Sequence, residues 1–165
     1  MSRYLTRQGY DRIATELDRL WRIERPDVCA QVTAAAEMGD RSENAEYIYG
    51  KKRLREIDSR VRYLRKKIEG VTVVDLGELP PRAEIVFGAL VTVEVYEPGE
   101  SEPIERTMRL VDQDESDPNL GRISVQSPIG RALLGRKAGD TLTVVLPKGT
   151  VELEVLAVRY GPEKA

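Results

Sequence analysis

The sequence predicts an α+β fold in which a long antiparallel helical hairpin precedes a small antiparallel β-sheet carrying one short helix. Apolar residues recur at spacings of three and four on both sides of an interruption at residues 39–47. After the paired prolines Pro80 and Pro81 the apolar period changes to two. Turn residues then punctuate the chain at Glu97-Pro98-Gly99, Gly139-Asp140 and Pro147-Lys148-Gly149.

Thr6 is placed to cap a helix that begins near Arg7, and Tyr10, Ile13, Leu17 and Leu20 draw an apolar stripe down it. Pro26 lacks an N–H and its ring clashes with the preceding turn, so a bend or local break is predicted there. Val28, Val32 and Ala35 resume the stripe, and Gly39 ends the helix. A second helix is predicted from near Asp40–Glu43 to about Glu69, with the heptad seam Leu54, Ile57, Val61, Leu64 and Ile68. So short a connection forces the helices, each about 40 Å long at roughly 1.5 Å per residue, into an antiparallel hairpin. The predicted divisions are a hairpin over 1–75 with its tip at 39–47, a linker over 76–84 and a second domain over 85–165. In that domain strands are expected around Val91–Val95, Met108–Leu110, Ile123–Val125, Leu142–Leu146 and Val151–Val155, with a short helix at Arg131–Leu134.

Composition excludes several chemistries. The 165 residues contain no histidine, which removes His-based general acid–base catalysis, Ser–His or Cys–His nucleophiles and His-ligated zinc. Cys29 is the one cysteine, so there is no disulfide framework and no thiolate cluster. No apolar run reaches the length of a signal peptide core or a membrane span, and a soluble, cytoplasmic protein is expected. The net charge of −2 hides an asymmetry: residues 1–75 carry 16 basic against 13 acidic side chains, whereas the remainder carries 10 against 15. An anionic partner would meet the first half.

Two constellations in that half carry chemistry. Asp40 and Glu43 stand three apart at a helix start, where the dipole favours their ionised forms. One reading is a capping box, in which Asp40 accepts a backbone N–H and Glu43 reaches back. The other is a pair of hard oxygen ligands for magnesium, which two carboxylates cannot enclose alone. Downstream, Lys51, Lys52, Arg53, Arg55, Arg60, Arg62, Arg65, Lys66 and Lys67 face only Glu56 and Asp58 between residues 51 and 67. That net +7 is either offset by acids of the first helix or held out to nucleic-acid phosphates. Tyr47, Tyr49 and Tyr63 interleave with the run, where one of them could stack on a base.

Gly39-Asp40-Arg41-Ser42-Glu43-Asn44-Ala45-Glu46-Tyr47, followed by Lys51-Lys52-Arg53-Leu54-Arg55-Glu56-Ile57-Asp58, resembles the bacterial Gre transcript-cleavage factors. The similarity extends through Leu5-Thr6 with Gly9-Tyr10, Glu24-Arg25-Pro26, Val86-Phe87-Gly88, Ser127-Pro128 and Arg131-Ala132-Leu133-Leu134. The long basic run and the Arg41-Ser42 pair favour the GreB branch over the GreA branch. The resemblance implies that the hairpin is a coiled coil and that the second domain is FKBP-like, docking on RNA polymerase through Ser127 and Pro128. Gln126 stands where the GreB pattern has an acidic residue. The hairpin is implied to enter the polymerase secondary channel, where Asp40 and Glu43 help hold the second Mg2+ and position the water that cleaves backtracked RNA. Lys51, Lys52, Arg53, Arg55 and Arg60 would face the nascent RNA 3' segment. The factor would be a monomer with no cofactor of its own and no enzyme activity apart from the polymerase. With only Phe87, Tyr96 and Tyr160 as aromatics, the second domain is not expected to be a prolyl isomerase. The alternative readings are a channel-occupying regulator that does not stimulate cleavage, and a plain coiled-coil nucleic-acid-binding protein.

Overall fold

The computed structural model describes residues 3–39 and 43–162. The chain forms two compact units, one of Tyr10–Val71 and the other of Met1–Gly9 with Thr72–Ala165. The first nine residues therefore group with the sheet rather than with the helices that follow them.

The helical unit has two arms. The first runs through α1 (Arg7–Arg19), a π-helical turn at Leu20–Glu24 and α2 (Arg25–Ala36), and the second is α3 (Ala45–Ile68). Pro26 neither breaks the arm nor leaves a gap in it. The turn ahead of the proline widens instead, with the Arg25 N–H donating to the Leu20 carbonyl five residues back. Widening absorbs one extra residue. Buried apolar side chains on this arm are Ile13, Leu20, Val28 and Ala35, a spacing of seven, eight and seven. The eight falls at the π turn, so Val28 rather than Asp27 faces the seam and the apolar stripe stays in phase. Opposite it Ile57, Val61 and Leu64 are buried on α3. Gly50 packs directly against the first arm, since a Cβ there would lie 2.5 Å from the Val32 Cγ2. Outside the seam, Arg25 donates to Asp58 at 2.8 Å, and that hydrogen bond holds the Asp58 carboxyl below the usual carboxylate range.

In the sheet unit five strands lie in the order β5 (Arg122–Ser124), β4 (Ile104–Val111), β3 (Leu90–Tyr96), β7 (Gly149–Arg159), β6 (Thr141–Leu146). The sheet is mixed, which corrects the wholly antiparallel expectation. Residues between β4 and β5 make two single 3₁₀ turns, capped by Asp112 accepting from the Asp114 N–H and Asp117 from the Asn119 N–H. This detour returns the chain to the start of the paired segment, so Arg122 lies beside Arg109 and Ser124 beside Val111 in parallel register. Val91, Val93 and Val95 point from β3 into one core with Leu142, Val144, Val151, Leu153 and Val155. Leu133 of α4 (Pro128–Leu133) closes that core. A strand that the apolar period did not announce, β1 (Tyr4–Thr6), pairs in parallel with β2 (Thr72–Val74) as a separate two-stranded sheet.

Thr6 caps α1 as expected, accepting from the Gly9 N–H at 3.0 Å. The reciprocal half of a capping box normally comes from the third helical residue. Here it comes from Glu115, whose carboxylate accepts from the Thr6 N–H at 3.1 Å and from the Thr6 hydroxyl. Gly9 occupies the third position because a Cβ there would strike the Glu115 carboxylate. Gly9→Ala is therefore expected to cost about 1–3 kcal/mol in urea denaturation, despite alanine's better helix propensity. In a Glu115→Ala background the same change should cost less, and a double-mutant cycle measures that coupling.

Candidate site at the hairpin turn

Among the described residues of the turn between α2 and α3, one side chain bonds to both helices. Asn44 is the N-cap of α3, its Oδ1 accepting from the Tyr47 N–H at 3.1 Å. Its amide also donates to the Ala35 carbonyl at 2.6 Å, at the C-terminal end of α2. One asparagine thus satisfies an orphan donor of the second arm and adds a second donor to the Ala35 carbonyl, which also accepts from the Met38 N–H at 3.2 Å. Gly39, at φ 133, takes the backbone out of α2 through a region that side chains disfavour.

This geometry corrects the capping-box reading of the turn. The helix begins at Ala45 with Asn44 as its cap, so Glu43 lies one residue outside it rather than within its first turn. Glu43 is exposed and has no hydrogen-bond or ion-pair partner among the described residues. Asp40, with Arg41 and Ser42, lies outside the described residues. Glu46, not Glu43, is the acidic residue in the first turn of α3.

The basic run divides into two groups. Arg53 donates to Glu24 and, at 3.2 Å, to Glu56; Arg60 donates to both carboxylate oxygens of Glu16, at 2.7 and 3.0 Å. These two arginines stand at the edge of the seam and are offset by acids of the first arm. Lys51, Lys52 and Arg55 are exposed and make no ion pair with a described carboxylate. At roughly 100° per residue they fall on the side of α3 away from Ile57, in line with Arg62 and Lys66. Farther along, the Trp21 ring lies under two guanidiniums, Arg25 at 5.2 Å and Arg65 at 4.5 Å from its centroid, so Arg65 too is directed at the first arm. Tyr63 lies under Arg60 at 5.4 Å.

In the sheet unit Ser127 is the N-cap of α4, accepting from the Gly130 N–H at 3.0 Å and donating to the Ser124 carbonyl at 2.7 Å. Pro128 follows at the first helical position and is exposed. Gly130 admits no side chain, because a Cβ would strike the Ser124 carbonyl oxygen. Tyr160, absent from the sequence-based site, holds the segment before β3 by donating to the Glu84 carbonyl at 2.5 Å and accepting from the Val86 N–H at 3.0 Å. Burial pushes its phenol pKa up. Asn44 was also missed. It lies inside the motif, and an Asn directly before a helical run is itself a cap signal.

The fold and this turn together define a helical-hairpin factor with a separate small sheet unit. Comparison with known proteins assigns the family. Residues 3–73 match the model "Transcription elongation factor, N-terminal", and residues 80–160 match "Transcription elongation factor, GreA/GreB, C-term". The chain belongs to the GreA/GreB family of transcription elongation factors. It is 50% identical over 98% of its length to transcription elongation factor GreB of Yersinia pestis, covering 91% of that protein. With GreB of Pasteurella multocida (strain Pm70) it shares 47% identity over 96% of this chain and 97% of the relative. A crystal structure of GreA factor homolog 1 from Thermus thermophilus is 26% identical, with 94% of this chain and 97% of that one covered at a TM-score of 0.41. No helix among the described residues is long and apolar enough to cross a membrane.

Asn44→Ala removes both bonds at the turn and is expected to lower the stability of the helical unit by about 1–2 kcal/mol. Asn44→Asp keeps the cap and loses the bond to Ala35, so its effect should be smaller. Urea denaturation followed by helical circular dichroism checks the order.

Proposed function

We propose that this chain stimulates RNA polymerase to cleave backtracked RNA. The hairpin enters the secondary channel, and Asp40 and Glu43 are lent to the site of the second Mg2+. The observation that carries this reading is the relation between Asn44 and Glu43. Because Asn44 caps α3, the Glu43 carboxylate is not consumed by the helix terminus and stands exposed beside it. Two carboxylates supply only part of an octahedral oxygen shell. Among the described residues no group of three or more His, Cys, Asp or Glu side chains could hold a metal ion. The pair therefore suits an ion whose remaining ligands come from polymerase carboxylates and water. An ion held there would activate a water and offset charge on the cleaved phosphodiester.

The other residues divide the remaining tasks. Lys51, Lys52 and Arg55 attract the phosphates of the RNA 3' segment. Arg53 and Arg60 contribute to the same field while sharing their charge with Glu24 and Glu16. Pro128, fixed by the Ser127 cap, presents the docking loop to the polymerase. The factor acts with the cytoplasmic polymerase and has no hydrolytic activity apart from it.

Asp40→Ala and Glu43→Ala, singly or together, are expected to bind polymerase as the parent chain does and to slow RNA shortening in a stalled, backtracked complex. A loss of at least tenfold corresponds to about 1.4 kcal/mol of transition-state stabilisation. Shortening at the parent rate with both acids removed would sink the reading. Each alanine at Lys51, Lys52 or Arg55 should also reduce the salt slope of single-stranded RNA binding, by about 0.7 for each phosphate that is no longer neutralised. Titrations at several salt concentrations read that slope directly.

A further inference from the structure

Beside the turn, within the helical unit, lies an open groove of about 610 Å³ that the metal-ligand reading does not use. Its lining includes Val28, Ala35 and Gly50, residues with short or no side chains, and Met38 and Tyr49 stand with them. Both larger residues are unusually bare for their type, Met38 at 80% and Tyr49 at 70% exposed. Gly50 costs helix stability in the second turn of α3, and it lets Val32 pack closely while adding no side chain to the groove.

Charge decides what this aromatic wall can take. Lys52 and Arg53 follow Tyr49 at three and four residues, the spacings that bring helix side chains together. Arg53 also lines the groove, held by Glu24 and Glu56. Lys51 and Arg55 extend the positive surface along the outer side of α3. Among the described residues, the one acid in the lining, Glu46, precedes Tyr49 by one turn. A polyanion would therefore run on the lysine side of the ring. A flat apolar group attached to that polyanion would reach Tyr49.

We infer that Tyr49 is a stacking platform for one unpaired nucleobase, with Met38 packing along the groove and Lys52 on the adjacent phosphate. This rests on the reading that the hairpin meets RNA, and adds to it a contact with the base itself. Stacking is tolerant of sequence, since every base presents a π face. The groove would thus grip an RNA 3' segment whatever its sequence, while the basic surface alone would grip only its backbone.

The test uses the full chain with a short unpaired RNA containing 2-aminopurine and an abasic oligomer of equal length. Tyr49→Leu is expected to weaken RNA binding by about 5- to 150-fold, the range for one base–aromatic stack. It should abolish the quenching of 2-aminopurine and leave abasic binding unchanged. Tyr49→Phe should retain both affinity and quenching. Equal effects of Tyr49→Leu on RNA and abasic oligomers would overturn the inference, as would no effect on either. Loss of polymerase affinity with RNA binding intact would do so as well, and would make the groove a protein-binding surface. The Asp40→Ala, Glu43→Ala protein should still quench 2-aminopurine, so failure of the cleavage role and failure of the stack are read separately.

Discussion

Two antiparallel helices of this length stay together only while their apolar stripes face each other. In the first arm that condition depends on a single widened turn at Leu20–Glu24. Proline at position 26 would otherwise force a kink, and an unbroken α-helix would carry Asp27 into the seam. The π turn resolves both problems with one inserted residue, because the carbonyls that the proline ring would crowd are already displaced. Everything nearer the turn inherits the phase set there. Val28 and Ala35 are buried on it, and Gly50 meets Val32 across it.

The same arm supplies the countercharge that lets α3 carry so many cations. Glu16 and Glu24 hold Arg60 and Arg53 at the edge of the seam, and Asp58 of α3 holds Arg25 in return. Such pairs are partly exposed and each adds little stability. Their larger effect is on where positive charge remains. With the seam-edge arginines offset, uncompensated positive charge remains along the outer side of the helix, where Lys51, Lys52 and Arg55 lie nearest the exposed tyrosine.

Legibility in the sequence followed the range of each interaction. Heptad spacing, the Thr6 cap and the alternation of Val91, Val93 and Val95 are local patterns, and the structure carries each of them. The Asn44 cap was equally local, yet the carboxylates at Asp40 and Glu43 fit the same template and drew the helix start a turn too early. Strand β1 gave no periodic signal because three residues are too few for one. The parallel pairing of β5 with β4 could not be read either, since the two capped 3₁₀ turns that bring it about leave the strand pattern unchanged.

The sequence by itself determined the two kinds of unit, the change of period between them and the motif that assigns the family, because each is written in residues close together along the chain. Tertiary structure decided which charges are offset and which are held out to solvent, and which glycines are indispensable. Arg53 and Lys52 are neighbours of the same sign, yet Glu24 of the first arm and Glu56 of α3 pair with Arg53 and not with Lys52. Gly9 is a glycine because of Glu115, more than a hundred residues away along the chain. Long-range packing of this kind has no periodic trace, so it appears only once the chain has folded.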